Sequence, residues 1–192
     1  MEIERKFLIS KENLPKNLDS YPHHRLEQGY LSTAPVVRIR KEDNNYYLTY
    51  KSKGLMTREE YNLPLTKESY EHMRPKADGI LISKTRYLIP EKNGLTIELD
   101  VFDTPYEGLF LAEVEFSSEE QALKYTPPAW FGEDVTNSGK YHNSRLSQGN
   151  LRHISILLVS SIFSSSYSKP GSEVHRLRSM PLDWQYIQMY IR

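Results

Sequence analysis

The sequence predicts a mainly β (α+β) fold, a closed eight-stranded antiparallel β-barrel with one charged face, which becomes a charged lumen if it is turned inward, and a few helices packed outside. Three observations predict it. The first nine residues, Met1 to Ile9, alternate charge and apolarity with period two, so a strand puts Glu2, Glu4, Lys6 and Leu8 on one face and Ile3, Arg5, Phe7 and Ile9 on the other. The same alternation returns in seven further segments, most with two charged residues at i and i+2. Turn chemistry separates them: Asp43-Asn-Asn45 and Asn93-Gly94 both tolerate positive φ, and the latter is the strongest hairpin signal in the chain. Eight mainly antiparallel strands suffice to close a barrel, which removes exposed edges.

The remaining elements follow in order. Ser10 to Asn17 is polar and holds at most one helical turn, and Leu26 to Leu31 is extended. Val36 to Lys41 aligns Arg38 and Arg40 against Val37 and Ile39. Tyr46 to Lys53 returns as its hairpin partner, with Lys51 and Lys53 opposite Leu48 and Tyr50. Thr57 to Leu63 places Arg58 and Glu60 on one side. From the N-cap Thr66, Tyr70, Met73 and Ala77 recur at helical spacing until Pro75 and Gly79 limit the helix. Ile80 to Ile89 aligns Lys84 with Arg86, Leu95 to Phe102 aligns Glu98 with Asp100, and Phe110 to Phe116 aligns Glu113 with Glu115. Ser117 and Ser118, with Glu120 and Gln121 three residues on, form overlapping capping boxes for a short helix through Lys124, which Pro127-Pro128 ends. Ser138 to Gln148 makes a last helical turn or two.

Composition narrows the class. At 192 residues and 38% hydrophobic, the chain buries one core, and one domain with an appendage fits its length. Formal net charge is zero, from 25 basic and 25 acidic residues, which argues against general nucleic-acid or membrane-surface binding. The absence of cysteine excludes disulfides, thiolate metal sites and a cysteine nucleophile. A start directly on a charged strand leaves no room for a signal peptide, so a cytoplasmic location is expected. The six histidines show no triad or metal spacing, and His23-His24 is read as a solvated loop pair. Tyr30 and Tyr87 fit strand packing as well as substrate contact.

Two orientations of such a barrel remain open. Apolar faces turned inward give an ordinary barrel or sandwich with a wet, charged exterior. Charged faces turned inward require a lumen holding water, ions and a charged ligand, because burying that many unpartnered charges is very costly. Carboxylates without His or Cys suit hard cations such as Mg²⁺ or Mn²⁺, and Arg and Lys suit phosphate oxygens. Together they describe a metal-bound polyphosphate site.

The residues carry a family resemblance that favours the second orientation. Glu2-Ile-Glu-Arg-Lys6 resembles the ExExK signature of the CYTH family, the triphosphate tunnel metalloenzymes, which include inorganic triphosphatases, thiamine triphosphatases and class IV adenylate cyclases. Val37-Arg-Ile-Arg40, Lys51-Ser-Lys53, Lys84-Thr-Arg-Tyr87, Glu98-Leu-Asp100, Ala112-Glu-Val-Glu-Phe116 and the closing Val135-Thr with Tyr141 and Asn143 follow in the family's order across residues 1–149. The resemblance implies an eight-stranded tunnel, open at both ends, that binds a triphosphate and a divalent metal. It implies metal ligands among Glu2, Glu4, Glu60, Glu98, Asp100, Glu113 and Glu115. It implies triphosphate ligands among Lys6, Arg38, Arg40, Lys51, Lys53, Arg58, Lys84 and Arg86, with Lys6, Glu2 and Glu4 at the chemistry. Where many relatives carry an RxExE strand, this chain reads Arg58-Glu-Glu60-Tyr-Asn62, an amide in place of the second acid.

The implied activity is metal-dependent hydrolysis of inorganic triphosphate or a small organic triphosphate. A class IV adenylate cyclase and a non-catalytic polyphosphate-binding module use the same tunnel and stand as alternatives, and two-fold assemblies elsewhere in the family allow a homodimer. Residues 150–192 differ in composition, with five Lys or Arg against two acids and a serine-rich stretch from Ser160 to Ser168. Their apolar run, Ile154 to Phe163, is about half the length of a membrane-spanning helix. They are expected to form a poorly ordered appendage.

Overall fold

The computed structural model describes residues 1–149, and the expected appendage of residues 150–192 lies outside the described residues. Nine strands form one sheet: β1 (Glu2–Leu8), β2 (His23–Thr33), β3 (Val36–Glu42), β4 (Asn45–Lys51), β5 (Thr57–Arg58), β6 (Glu60–Pro64), β7 (Asp78–Pro90), β8 (Thr96–Phe102) and β9 (Phe110–Glu115). Their order is β5-β1-β9-β8-β7-β2-β3-β4-β6, and every pairing is antiparallel.

Closure depends on the segment expected as one strand from Thr57 to Leu63, which is found as two, β5 and β6. Its first half pairs with β1, Glu2 opposite Arg58, and its second half with β4, Lys51 opposite Glu60. The break at Glu59 lets one length of chain serve both ends of the sheet. Glu4 N donates to Met56 O at 3.0 Å and Ser52 N to Glu59 O at 3.0 Å, which continues the seam. Counted as one bent strand, this segment restores the eight of the sequence pattern.

The apolar faces point outward. Ile3, Phe7, Ile9, Ile89, Ile97, Leu99, Phe110, Ala112, Val114 and Phe116 form a buried cluster on the outside of β1, β7, β8 and β9. It is covered by Ala122 of α2 (Glu119–Lys124), by Leu14, Leu18 and Tyr21, and by the Tyr125 to Phe131 loop. Arg5 shares this outer face and is satisfied there by Asp134 and by the carbonyls of Ala122 and Tyr125. The cap of α2 is close to the one expected: Ser118 Oγ accepts from Gln121 N at 3.1 Å, while Gln121 Oε1 accepts from Ser117 N, one residue before the N-cap, at 3.0 Å.

On the opposite side, α1 (Lys67–Met73) begins at Thr66, whose Oγ1 accepts from Ser69 N at 3.1 Å. Its buried Tyr70 donates to Glu27 of β2 at 2.8 Å. Gly29 permits the close approach behind it, since a Cβ there would stand 2.7 Å from Ala77 Cβ and Leu81 Cδ2. The β7–β8 hairpin turns at Asn93 and Gly94, with φ of 59° and 72°. His23 and His24, read as a loop, instead open β2, where His24 Nδ1 lies 2.7 Å from Asp43 Oδ2.

The last element among the described residues, α3 (Asn143–Leu146), is fixed to the barrel by Tyr106, which donates to Leu146 O, and by Ile80 N, which donates to Ser147 O at 2.7 Å. Residues 142–144 line the lumen, and the anchors on Ile80 and Tyr106 place α3 at the end of the barrel where β7 begins and β8 turns into β9.

Candidate functional site

Strand alternation delivers every second side chain to the interior. Glu2, Glu4, Lys6, Arg38, Arg40, Lys51, Arg58, Lys84, Arg86, Glu98, Glu113 and Glu115 line one cavity inside the barrel. Its two walls differ.

The wall made by β1, β9, β8 and β7 is a matched network. Lys6 Nζ pairs with Glu113 and, at 3.0 Å, with Glu4. Lys84 pairs with Asp100, the two side chains 1% and 0% exposed. Arg86 takes Asp100 through Nε at 2.7 Å, Glu113 through Nη2 at 2.5 Å, and Glu98. Burial pulls Lys6 toward neutrality, but Glu113 and Glu4 hold its pKa above the ordinary lysine value. Burial and the neighbouring Arg86 pull Lys84 below it.

The β5–β6 seam continues the pairing. Lys51 Nζ lies 2.6 Å from Glu2 and 2.7 Å from Glu60, while Arg58 reaches Glu2 and Glu4, each at 2.8 Å. Against the upward push of burial, a hydrogen bond with Glu2 and the charge of Lys51 hold the Glu60 carboxyl down to about 2.

The β3 wall has no such match. The acid nearest Arg38 is Glu60 at 3.7 Å, and Arg40 has Glu42 at 3.5 Å and Glu60 at 3.9 Å. Among the described residues Arg38 also reaches Gln28 and Thr49, both at 3.4 Å. The Nε atoms of Arg38 and Arg40 are buried without a hydrogen-bond partner among the described residues. Arg38, burial and then Arg86 press the Arg40 guanidinium down to about 10, so it stays charged at neutral pH in the field of other cations.

The acids gather where Glu115 stands. Its carboxyl is pushed up by burial and by Glu2, Glu98, Glu4 and Glu60, and it makes no salt bridge among the described residues. No three acidic or histidine side chains are already drawn together at metal-ligand spacing among the described residues, because most carboxylates are turned onto Lys and Arg.

Three of the residues expected from the sequence stand apart from the lining. Lys53 lies past the end of β4 and is exposed. Asp100 is buried behind Lys84 and Arg86, and Glu60 sits behind Lys51 in the seam. Asn62, the amide at the acid position, accepts from Thr49 Oγ1 at 2.6 Å and donates to Glu60 at 2.9 Å. Tyr87 packs against the outer cluster, whereas Tyr30 is buried and lines the lumen beside Gln28. Gln28 was missed, although it shares its parity with Leu26 and Tyr30. His142 and Ser144 were missed as well. Burial, then Lys6 and Arg58, hold the His142 imidazole neutral down to about pH 4.

Comparison with known proteins matches the sequence model of the CYTH domain to residues 1–137. An inorganic triphosphatase of Nitrosomonas europaea is 39% identical over 76% of this chain and 96% of that protein. An inorganic triphosphatase of Acetivibrio thermocellus is 35% identical over 76% of this chain and 92% of that protein. A crystal structure of an inorganic triphosphatase superposes with a TM-score of 0.58 at 36% identity, covering 77% of this chain and 95% of that one.

Proposed function

The chain belongs to the CYTH domain family, and from that premise we propose that it is a divalent-metal-dependent triphosphatase acting on inorganic triphosphate or a small organic triphosphate inside the barrel. The observation that carries this reading is the unmatched β3 wall. Two guanidinium groups with buried, unpartnered Nε–H donors face a cavity whose other cations are already paired, a setting suited to a multiply charged phosphate chain. Their planar forks grip phosphoryl oxygens, which simple point charges do less specifically.

The donor set fits a hard cation. Glu2, Glu4 and Glu115 would hold Mg²⁺ or Mn²⁺, with Glu98 and Glu113 adjoining, since all are oxygen donors on one cavity and Glu115 lies in surplus negative charge. A divalent cation bound there supplies neutralisation of phosphoryl charge and a more acidic water.

This chain's own residues do the rest. Arg38 and Arg40 bind and orient the chain of phosphates. Lys6, Lys51, Arg58, Lys84 and Arg86 surround it with charge that stabilises the transferring and leaving groups as water attacks phosphorus and the bond to the leaving diphosphate breaks. Asp100 and Glu60 set the positions of Lys84, Arg86 and Lys51. No protein nucleophile is needed. A small anionic substrate agrees with the zero net charge, and among the described residues no helix is long and apolar enough to cross a membrane.

The test is incubation with inorganic triphosphate, ATP and thiamine triphosphate plus Mg²⁺ or Mn²⁺, with phosphate and cyclic AMP measured separately. Phosphate release that EDTA stops is the expected result. Cyclic AMP as the main product, or binding without turnover, would replace this reading with a cyclase or a binding module.

A further inference from the structure

His142 lines the lumen and takes no part in its ion pairs. Its Nε2 is buried and has no hydrogen-bond partner among the described residues, and the same is true of Oδ1 of the adjacent Asn143. Buried polar atoms left unpaired cost free energy, so a fold that keeps two of them side by side requires a reason. Local adjustment is restricted, because the segment is anchored from both ends. Tyr141 and Leu146 are buried, Tyr106 donates to Leu146 O, and Ile80 N holds Ser147 O. The nearby charges that act on His142 are Lys6 and Arg58, opposed by Glu4 and Glu113, all of them lumen residues.

The position matters as much as the chemistry. The segment is anchored through Ile80 and Tyr106 at the end of the barrel where β7 begins and β8 turns into β9, and His142 to Ser144 line the lumen there, so a chain of phosphates running along the cationic interior meets His142 and Asn143 at that end. An imidazole Nε2–H donates to a phosphoryl oxygen, and a half-turn of the Asn143 amide puts its NH₂ group where Oδ1 now stands.

We propose that His142, with Asn143 beside it, is a specificity-determining stop that hydrogen-bonds the terminal phosphoryl group and selects inorganic triphosphate over longer polyphosphates. The proposal rests on the lumen being the triphosphate site. It deepens that reading by naming the end of the chain that is recognised and the residues that recognise it.

The experiment compares kcat and KM for inorganic triphosphate and inorganic tetraphosphate in the full-length wild type, H142A and H142Q. In H142A the triphosphate KM rises about tenfold, the size of one hydrogen bond to a charged group, and kcat/KM for tetraphosphate relative to triphosphate increases. Gln carries an amide to about the place of Nε2, so H142Q recovers most of the wild-type KM. Should H142A fail to fold, H142F fills the space without a donor and raises the triphosphate KM alike. An unchanged triphosphate KM, or a loss of kcat shared equally by both substrates and not recovered in H142Q, overturns the proposal. A wild type inactive on triphosphate overturns the underlying reading instead, so the two failures are distinguishable.

Discussion

The two walls of one lumen are built from the same residue types and do opposite things. On β1, β7, β8 and β9, each cation has a carboxylate within hydrogen-bond reach, and the innermost pair, Lys84 with Asp100, is almost wholly buried. On β3, the side chains of Arg38 and Arg40 are 7% and 16% exposed, yet their nearest acids among the described residues are 3.7 and 3.5 Å away and their Nε atoms have no partner there. Matched charge holds shape, because each buried ion needs its partner to remain folded. Unmatched charge is free to take an anion, which is the role proposed for Arg38 and Arg40. The difference explains how a barrel can be lined with ions and still be stable.

Substitutions should separate the two walls. The largest effect on stability is expected from D100N, which leaves Lys84 and Arg86 buried with less compensation, and urea unfolding should show a loss of about 3–5 kcal/mol. A loss below about 1 kcal/mol would mean that the matched wall is not what holds the barrel. Next is G29A on the outer surface, where the new Cβ meets Ala77 and Leu81 at 2.7 Å, and overpacking should cost about 1–3 kcal/mol. An unaltered midpoint would show that α1 and its following turn yield freely.

A smaller effect is expected from pH. The Glu60 carboxyl is held down to about 2 against an ordinary 4.5, so the stability it contributes is fully present above about pH 4.5 and is lost as pH falls toward 2. Thermal unfolding followed across that window should slope less steeply in E60Q than in wild type, and parallel slopes would remove Glu60 from the account. The smallest effect is expected from truncation after Gly149, since the lumen is built by residues that precede it among the described residues. Triphosphate hydrolysis should stay within a few-fold of full length, and a truncated protein that folds but is inactive would require residues 150–192 in the site.

Much of the lumen was legible because strand alternation is a strict rule: once a segment is a strand, parity decides which side chains share the inside. That rule placed Glu2, Glu4, Lys6, Arg38, Arg40, Lys84 and Arg86 together without any knowledge of the strand order. It failed where a strand ended. Lys53 was assigned by extending the parity of Lys51, but β4 stops at Lys51 and Lys53 turns to solvent. The division at Glu59 is invisible in the sequence because it answers to a change of partner, from β1, far away in sequence, to the neighbouring β4. His142 was passed over for a related reason. A single histidine before a one-turn helix has no periodic neighbours, and only tertiary contacts through Tyr106 and Ile80 place it at the end of the lumen.

The unmatched arginines, and not the matched network, are expected to receive the substrate. Isothermal titration of inorganic triphosphate with Mg²⁺ into wild type and R40A, each shown by urea unfolding to be folded, tests it most directly. The account predicts that R40A binds triphosphate more weakly by about 1.5–3 kcal/mol, the range for hydrogen bonds to a charged group, with stability changed by less than about 1 kcal/mol. Unchanged triphosphate affinity in a folded R40A would contradict it.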